Sequence, residues 1–163
     1  MAQGYRTGSG RPIAATLQAY GGRLAQALGA ELYQEADGIM TQSKDLVPVD
    51  TGALRASGYA ELPKITPTLV SVELGYGGPA TRANPKTGEQ TDVYAIYVHE
   101  NLEVHHNTGI AKFLELPFNQ AKRGMAARLA AGVSRRMKTG NIGAGPSAEP
   151  TSESTFAGPD GNA

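Results

Sequence analysis

The sequence predicts one α+β domain, in which a small antiparallel sheet packs against two long helices. Three observations predict it. Apolar residues recur at three- and four-residue steps from Pro12 towards Leu46, they alternate with polar ones in "TLVSVELGYG", and a helical stripe returns from Phe113 to Lys138. Residues 1–10 read as a flexible arm, 11–138 as the domain and 139–163 as a Gly/Pro/Ser-rich tail.

The first helix starts at Pro12, whose missing N–H is no loss in a first turn. Ile13, Leu17, Tyr20, Leu24, Leu28 and Leu32 form its apolar stripe. Gly21, Gly22, Gly29 and Gly38 each weaken it by up to about 1 kcal/mol relative to Ala. Its formation therefore depends on tertiary packing, and its small residues allow a neighbour to come close. It should end near Leu46, because Pro48 restricts Val47 to extended geometry.

In "VPVDTGALRAS", Asp50 or Thr51 is expected to cap a short helical turn, with Gly52 in that turn and Leu54 pinning it to the core. "SGYAELPK" is the weaker strand candidate; Val70, Val72 and Leu74 give the stronger one a buried face. Residues 75–92 have loop composition throughout, and a loop of that length is usually functional or disordered. "DVYAIYVHE" fits a strand or a short helix, and "NLEVHHNTGIA" a hairpin or extended loop. The second long helix runs from Phe113, with Pro117 near its first turn and Phe118, Ala121, Met125, Leu129, Val133 and Met137 on one face. Cations gather at its end, where they complement the helix dipole, and Gly140 stops it. Phe156 is the one anchor available to the tail.

Composition bounds the function. The chain has 163 residues with 40% hydrophobic and only 6% aromatic, which suits a thin core with glycine-rich loops. With no cysteine there are no disulfides and no thiolate metal sites. No signal-like or membrane-spanning apolar run is present, so a soluble protein made in the cytoplasm is expected. Zero net charge argues against bulk nucleic-acid binding. The charges are nonetheless segregated. Residues 31–50 carry Glu31, Glu35, Asp37, Asp45 and Asp50 against Lys44 alone, and residues 112–138 carry seven cations, Arg128, Arg135 and Arg136 among them, against Glu115 alone. This reads either as two solvated helix faces or as complementary ends that dock copies of the chain.

All three histidines, His99, His105 and His106, fall in "HENLEVHH". A zinc protease needs H-E-x-x-H so that both imidazoles project from one helix face, but His99 and His105 are six apart. "HHN" imitates the start of a ββα-nuclease site without the further downstream histidine that such a site requires. A loose cluster of His99, Glu100 and Glu103 is the remaining metal reading. Neither a Walker loop nor a G-x-S-x-G elbow occurs. The expectation is surface or interface histidine, no cofactor, no metal and no catalysis.

Three blocks in fixed order, "VPVDTGALRAS" (47–57), "YAIYVHE" (94–100) and "AKFLELPFNQAK" (111–122), carry a resemblance. The chain resembles the small phage neck or tail-component family typified by gene product ten of coliphage Hong Kong 97. The likeness spans roughly residues 10 to 138 and leaves the 75–92 loop and the tail uncovered. It implies a non-enzymatic virion protein that completes the tail or joins it to the head as a ring of subunits. Implied partners are other copies of itself, the tail terminator, a connector or stopper and the end of the tape measure, with at most incidental contact with packaged DNA. It implies no membrane; the protein would lie in the virion neck, and in the host cytoplasm during assembly. Asp50, Thr51, Gly52, Leu54 and Arg55 then form a turn-and-dock element, Tyr94 and Tyr97 mark the middle block, and Phe113, Leu114 and Pro117 seat the last helix. Glu31, Glu35, Asp37, Arg128, Arg135 and Arg136 are the candidate subunit interface. The family pattern more commonly reads "YVE-Gly-Thr" where this chain has "VHENLEVHHNTG", which predicts a longer or differently aimed hairpin. The competing classes are a metal-dependent hydrolase or nuclease using His99, His105 and His106, and a small toxin or regulator with an electrostatic partner.

Overall fold

A computed structural model describes residues 8, 10, 12–102 and 108–142. Helix α1, Ile13–Leu46, is the spine of the molecule. Its 34 residues span about 50 Å at 1.5 Å per residue. It ends where predicted, with Val47 extended ahead of Pro48.

A one-turn helix follows (α2, Ala53–Ala56), then strands β1 (Gly58–Ala60), β2 (Lys64–Ile65), β3 (Val70–Ser71) and β4 (Leu74–Tyr76). β1 pairs antiparallel with β4, Gly58 opposite Tyr76, and β2 with β3, Lys64 opposite Ser71. The two ladders are consecutive parts of one long hairpin, bridged where Glu61 N–H donates to the Glu73 carbonyl at 2.7 Å. Pro63, which has no N–H, sits at the interruption between β1 and β2. The tip is closed by Thr66, whose N–H and hydroxyl both donate to the Leu69 carbonyl. The alternation of Val70, Val72 and Leu74 is muted, because Ser71 is half-buried along with them. The hairpin lies along α1 so closely that a Cβ on Gly58 would meet Met40 Sδ at 2.8 Å.

Residues 75–92, read as loop throughout, contain the end of β4, a short turn and the start of a helix. A 3-10 turn at Gly78–Ala80 leads to an Ala83–Gln90 bridge. The turn inside it closes where the Asn84 side-chain oxygen accepts from Lys86 N–H at 2.9 Å. Helix α3, Thr91–Glu100, settles the ambiguity of "DVYAIYVHE" in favour of a helix.

The predicted second long helix is two helices, α4 (Glu115–Lys122) and α5 (Met125–Thr139). Gly124 separates them with φ +72°, a left-handed conformation that no helix continues through. Pro117 is buried in the first turn of α4, where its missing N–H breaks no bond. α5 runs antiparallel to α1, since Arg128 meets Glu35 while Arg136 meets Glu31. Gly140 terminates it with φ +74°, as predicted. Among the described residues no helix is long and apolar enough to cross a membrane.

The core is as thin as the composition implied: Val47, Leu54, Ala95 and Phe113, with Leu46, Tyr76, Tyr94, Val98 and Leu114 packed round them. The first half of α1 takes no part. Ile13, Leu17, Tyr20 and Leu24, read as a packing stripe, are 41–65% exposed, and α1 buries Ala27, Ala30, Ala36, Ile39 and Met40 instead. The cause is α5's length. With Gly132 over Glu31, the equal rise of two antiparallel helices ends α5 at about Leu24.

Candidate functional site

A groove of about 380 Å³ opens between the 48–54 segment, the 84–89 turn, Tyr94, Val98 and Thr108. The DTG turn forms one wall. Gly52 has φ +80° with open space around it, so glycine is required there for conformation rather than for room. Leu54 is buried in the core, as expected of a docking residue. Capping differs from the prediction. Thr51 Oγ1 accepts from Ala53 N–H at 3.4 Å, a weak contact, whereas Asp50 leaves the helix end alone and pairs with Lys86 across the groove. Arg55 is exposed and pairs with Asp45 at 3.3 Å.

The opposite wall is fixed to the same segment by backbone. Ile110 N–H donates to the Leu46 carbonyl at 2.9 Å, and the Thr108 hydroxyl donates to the Val49 carbonyl and accepts from its N–H, both at 3.2 Å. Gly109 (φ +81°) touches the Val47–Pro48 peptide so closely that any Cβ would overlap it. Behind this wall Ser57, fully buried, donates to the Leu54 carbonyl at 2.7 Å and accepts from Gly77 N–H at 3.3 Å.

The groove's ionisable groups are Asp50, already paired with Lys86, Glu89 and the Tyr94 phenol. Burial, then the charges of Glu89 and Asp50, push the Tyr94 pKa up. A phenol held in its neutral form in this way can donate a hydrogen bond to a ligand in the groove. The described groove thus presents a phenol donor beside the carboxylates of Asp50 and Glu89.

The middle block divides between two surfaces. Tyr94 packs on the core, whereas Tyr97 is 65% exposed and its hydroxyl accepts from Asn101 Nδ2 at 3.1 Å. His99 lies edge-on to the Phe113 ring, centroids 4.8 Å apart, and Phe113 in turn meets Tyr76 edge-on at 5.1 Å. The His99 Nδ1 shares a 2.8 Å hydrogen bond with Glu100 Oε1, and Nε2 is buried without a partner. Lys112 also bonds Glu100, and these two hydrogen bonds hold the Glu100 carboxyl below its usual range. His105, His106 and Glu103 lie outside the described residues, among which no group of three metal-ligating side chains occurs.

The segregated charges find partners inside the chain. Arg128 forks onto Glu35, with Nε and Nη2 each 2.7 Å from a carboxylate oxygen. The same guanidinium donates to the Ala121 carbonyl at 2.6 Å and the Arg123 carbonyl at 2.9 Å. It thereby ties the free carbonyl end of α4 to both α5 and α1. This pair holds the Glu35 carboxyl below its ordinary pKa, through the Arg128 hydrogen bonds before any through-space attraction. Glu31 is only 7% exposed and accepts from Arg136 Nε at 2.5 Å, with Arg135 at 3.8 Å. Glu31, Glu35, Arg128, Arg135 and Arg136, expected at a subunit interface, thus join α1 to α5 within one chain. Asp37 stands apart, exposed and outside these ion pairs.

Several structural residues had no distinctive sequence signal. Ser43 bonds the Tyr76 hydroxyl at 2.8 Å and, like Ser57, reads in sequence as an ordinary serine. Gly132 had one faint signal, a glycine in the middle of a helix, and it is the point where α5 lies against the Glu31 carboxylate. No protein-family model, curated protein or solved structure matches this chain.

Proposed function

We propose that this chain is a non-enzymatic structural protein of a tailed-phage virion, completing the tail or joining it to the head as a ring of subunits. One observation carries the reading. The three blocks that resemble the neck family, far apart in sequence, supply one core: Val47 and Leu54 from the first, Ala95 from the second and Phe113 from the third. Residues that recur in a motif because they hold one another together fit a scaffold. The groove beside that core supports the same reading, since its polar groups are engaged with one another or suited to hydrogen bonding.

The test is to remove the chain from the phage that encodes it and view the particles by negative-stain electron microscopy. Unjoined heads and tails, with the protein found by mass spectrometry in complete particles, are expected. Intact infectious particles made without it would refute the proposal.

A further inference from the structure

Two apolar faces have no partner among the described residues. On the first half of α1, Ile13, Leu17, Tyr20 and Leu24 follow 4-3-4 spacing and so line one stripe. On α3, Val93, Ile96 and Tyr97 share the outward face and are 61%, 71% and 65% exposed. Contiguous apolar surface of this kind on a small protein marks an interaction site.

The two faces are complementary in charge. Among the described residues, 12–30 contain Arg23 and no acidic residue, whereas 89–100 contain Glu89, Asp92 and Glu100 and no Lys or Arg. Nearly every described carboxylate is already matched by a cation. Only Asp37, Glu89 and Asp92 make no ion pair among the described residues, and two of these three flank α3.

The faces cannot meet in one molecule. α3 packs on the cluster containing Val47, at the far end of α1, and Leu24 lies about 30 Å from Leu46 along the helix. We infer that the first half of α1 is an assembly arm, and that its occupant is the outward face of α3 on a second copy of this chain. The contact joins two different surfaces, so it repeats head to tail and closes into a ring if the rotation allows. This inference deepens the ring reading above and rests on it.

The test uses the full chain, Leu17→Glu and Ile96→Glu, with mass measured by native mass spectrometry and light scattering. Both positions are more than half exposed, so an unchanged circular dichroism spectrum shows that each variant folds. Wild type is expected to form oligomers and each variant alone to be monomeric. An equal mixture should give a heterodimer and nothing larger, because each variant keeps the face the other lacks. Monomeric wild type would overturn the inference. So would Ile96→Glu oligomers of wild-type size, which would mean that arms pair with arms. Loss of oligomers on deleting residues 143–163, with Ile96→Glu still oligomeric, would give the arm to the tail instead. Monomers in solution alongside the protein's presence in particles would sink the inference and leave the virion proposal standing.

Discussion

Replacing a mid-helix glycine by alanine normally stabilises a helix by up to about 1 kcal/mol; at Gly132 the opposite is expected. A Cβ there would overlap Glu31 Oε2 and Cδ and lie 2.8 Å from Oε1. To restore ordinary contact the carboxylate must withdraw by roughly 1 Å or more. It cannot do so and keep Oε1 at 2.5 Å from Arg136 Nε. Both side chains are nearly enclosed, at 9% and 12% exposure, so the pair is of the kind whose disruption costs about 3–5 kcal/mol. Offset by the helix-propensity gain, Gly132→Ala should destabilise the protein by about 2–4 kcal/mol, a fall in Tm on the order of 5–15 °C. The decisive measurement is the same substitution in a Glu31→Ala background. With the carboxylate gone the added methyl has room, and Gly132→Ala should then be neutral or stabilising, a change of sign that only direct contact explains. Thermal and urea unfolding of the four proteins by circular dichroism reads it out. An equal loss in both backgrounds, or a gain in the first, would refute the argument.

Three further outcomes are expected. Gly52→Ala should cost about 1–2 kcal/mol through its left-handed φ, whereas Asp50→Ala, which loses only an exposed ion pair, should cost less than about 1 kcal/mol; the order of the two Tm values checks it. Because Glu35 titrates below its unfolded value, the stability it contributes is present above about pH 4.5 and lost as pH falls through its folded pKa; unfolding curves of Glu35→Gln should lack that part of the acid dependence. Burial pushes the Tyr76 phenol up to about 12, so the unfolded chain ionises first and stability should fall from about pH 10 upwards; phenolate absorbance should show a last-titrating tyrosine that Tyr76→Phe removes.

What the sequence made legible was local. The α1 boundaries, the need for glycine at position 52, the α5 stop at Gly140 and the docking of Leu54 all follow from one turn of chain and its neighbours. Misreadings came wherever the partner is remote. Asp50 has the chemistry of a cap, but its carboxylate is taken by Lys86, 36 residues away. The α3 segment is apolar on both faces, Ala95 and Val98 inward and Ile96 and Tyr97 outward, so neither the helical nor the strand period stood out. Gly124 breaks the last helix, yet in sequence it is indistinguishable from the glycines that α1 tolerates at 21, 22 and 38. The α1 stripe was legible as apolar; periodicity does not say what covers it.

The charge pattern shows the same division and bears on where the proposed interface would lie. Acidic α1 and basic α5 residues, separated by 93 to 105 positions, suggested two ends that attract across subunits, because sequence shows sign without distance. Folded, they lie opposite one another, and the attraction is spent on fixing α5 and the end of α4 to the spine. Cations and anions already paired in this way give a neighbour little to gain, since binding it would mean giving up a partner inside the chain. The proposed assembly would then draw on what folding leaves unused. Among the described residues nothing covers the outward face of α3, nor the arm stripe, which α5 is too short to reach. Lengthening α5 past Gly140 by a further two turns, with leucines placed against Leu17 and Tyr20, should therefore quench self-association without touching any charge.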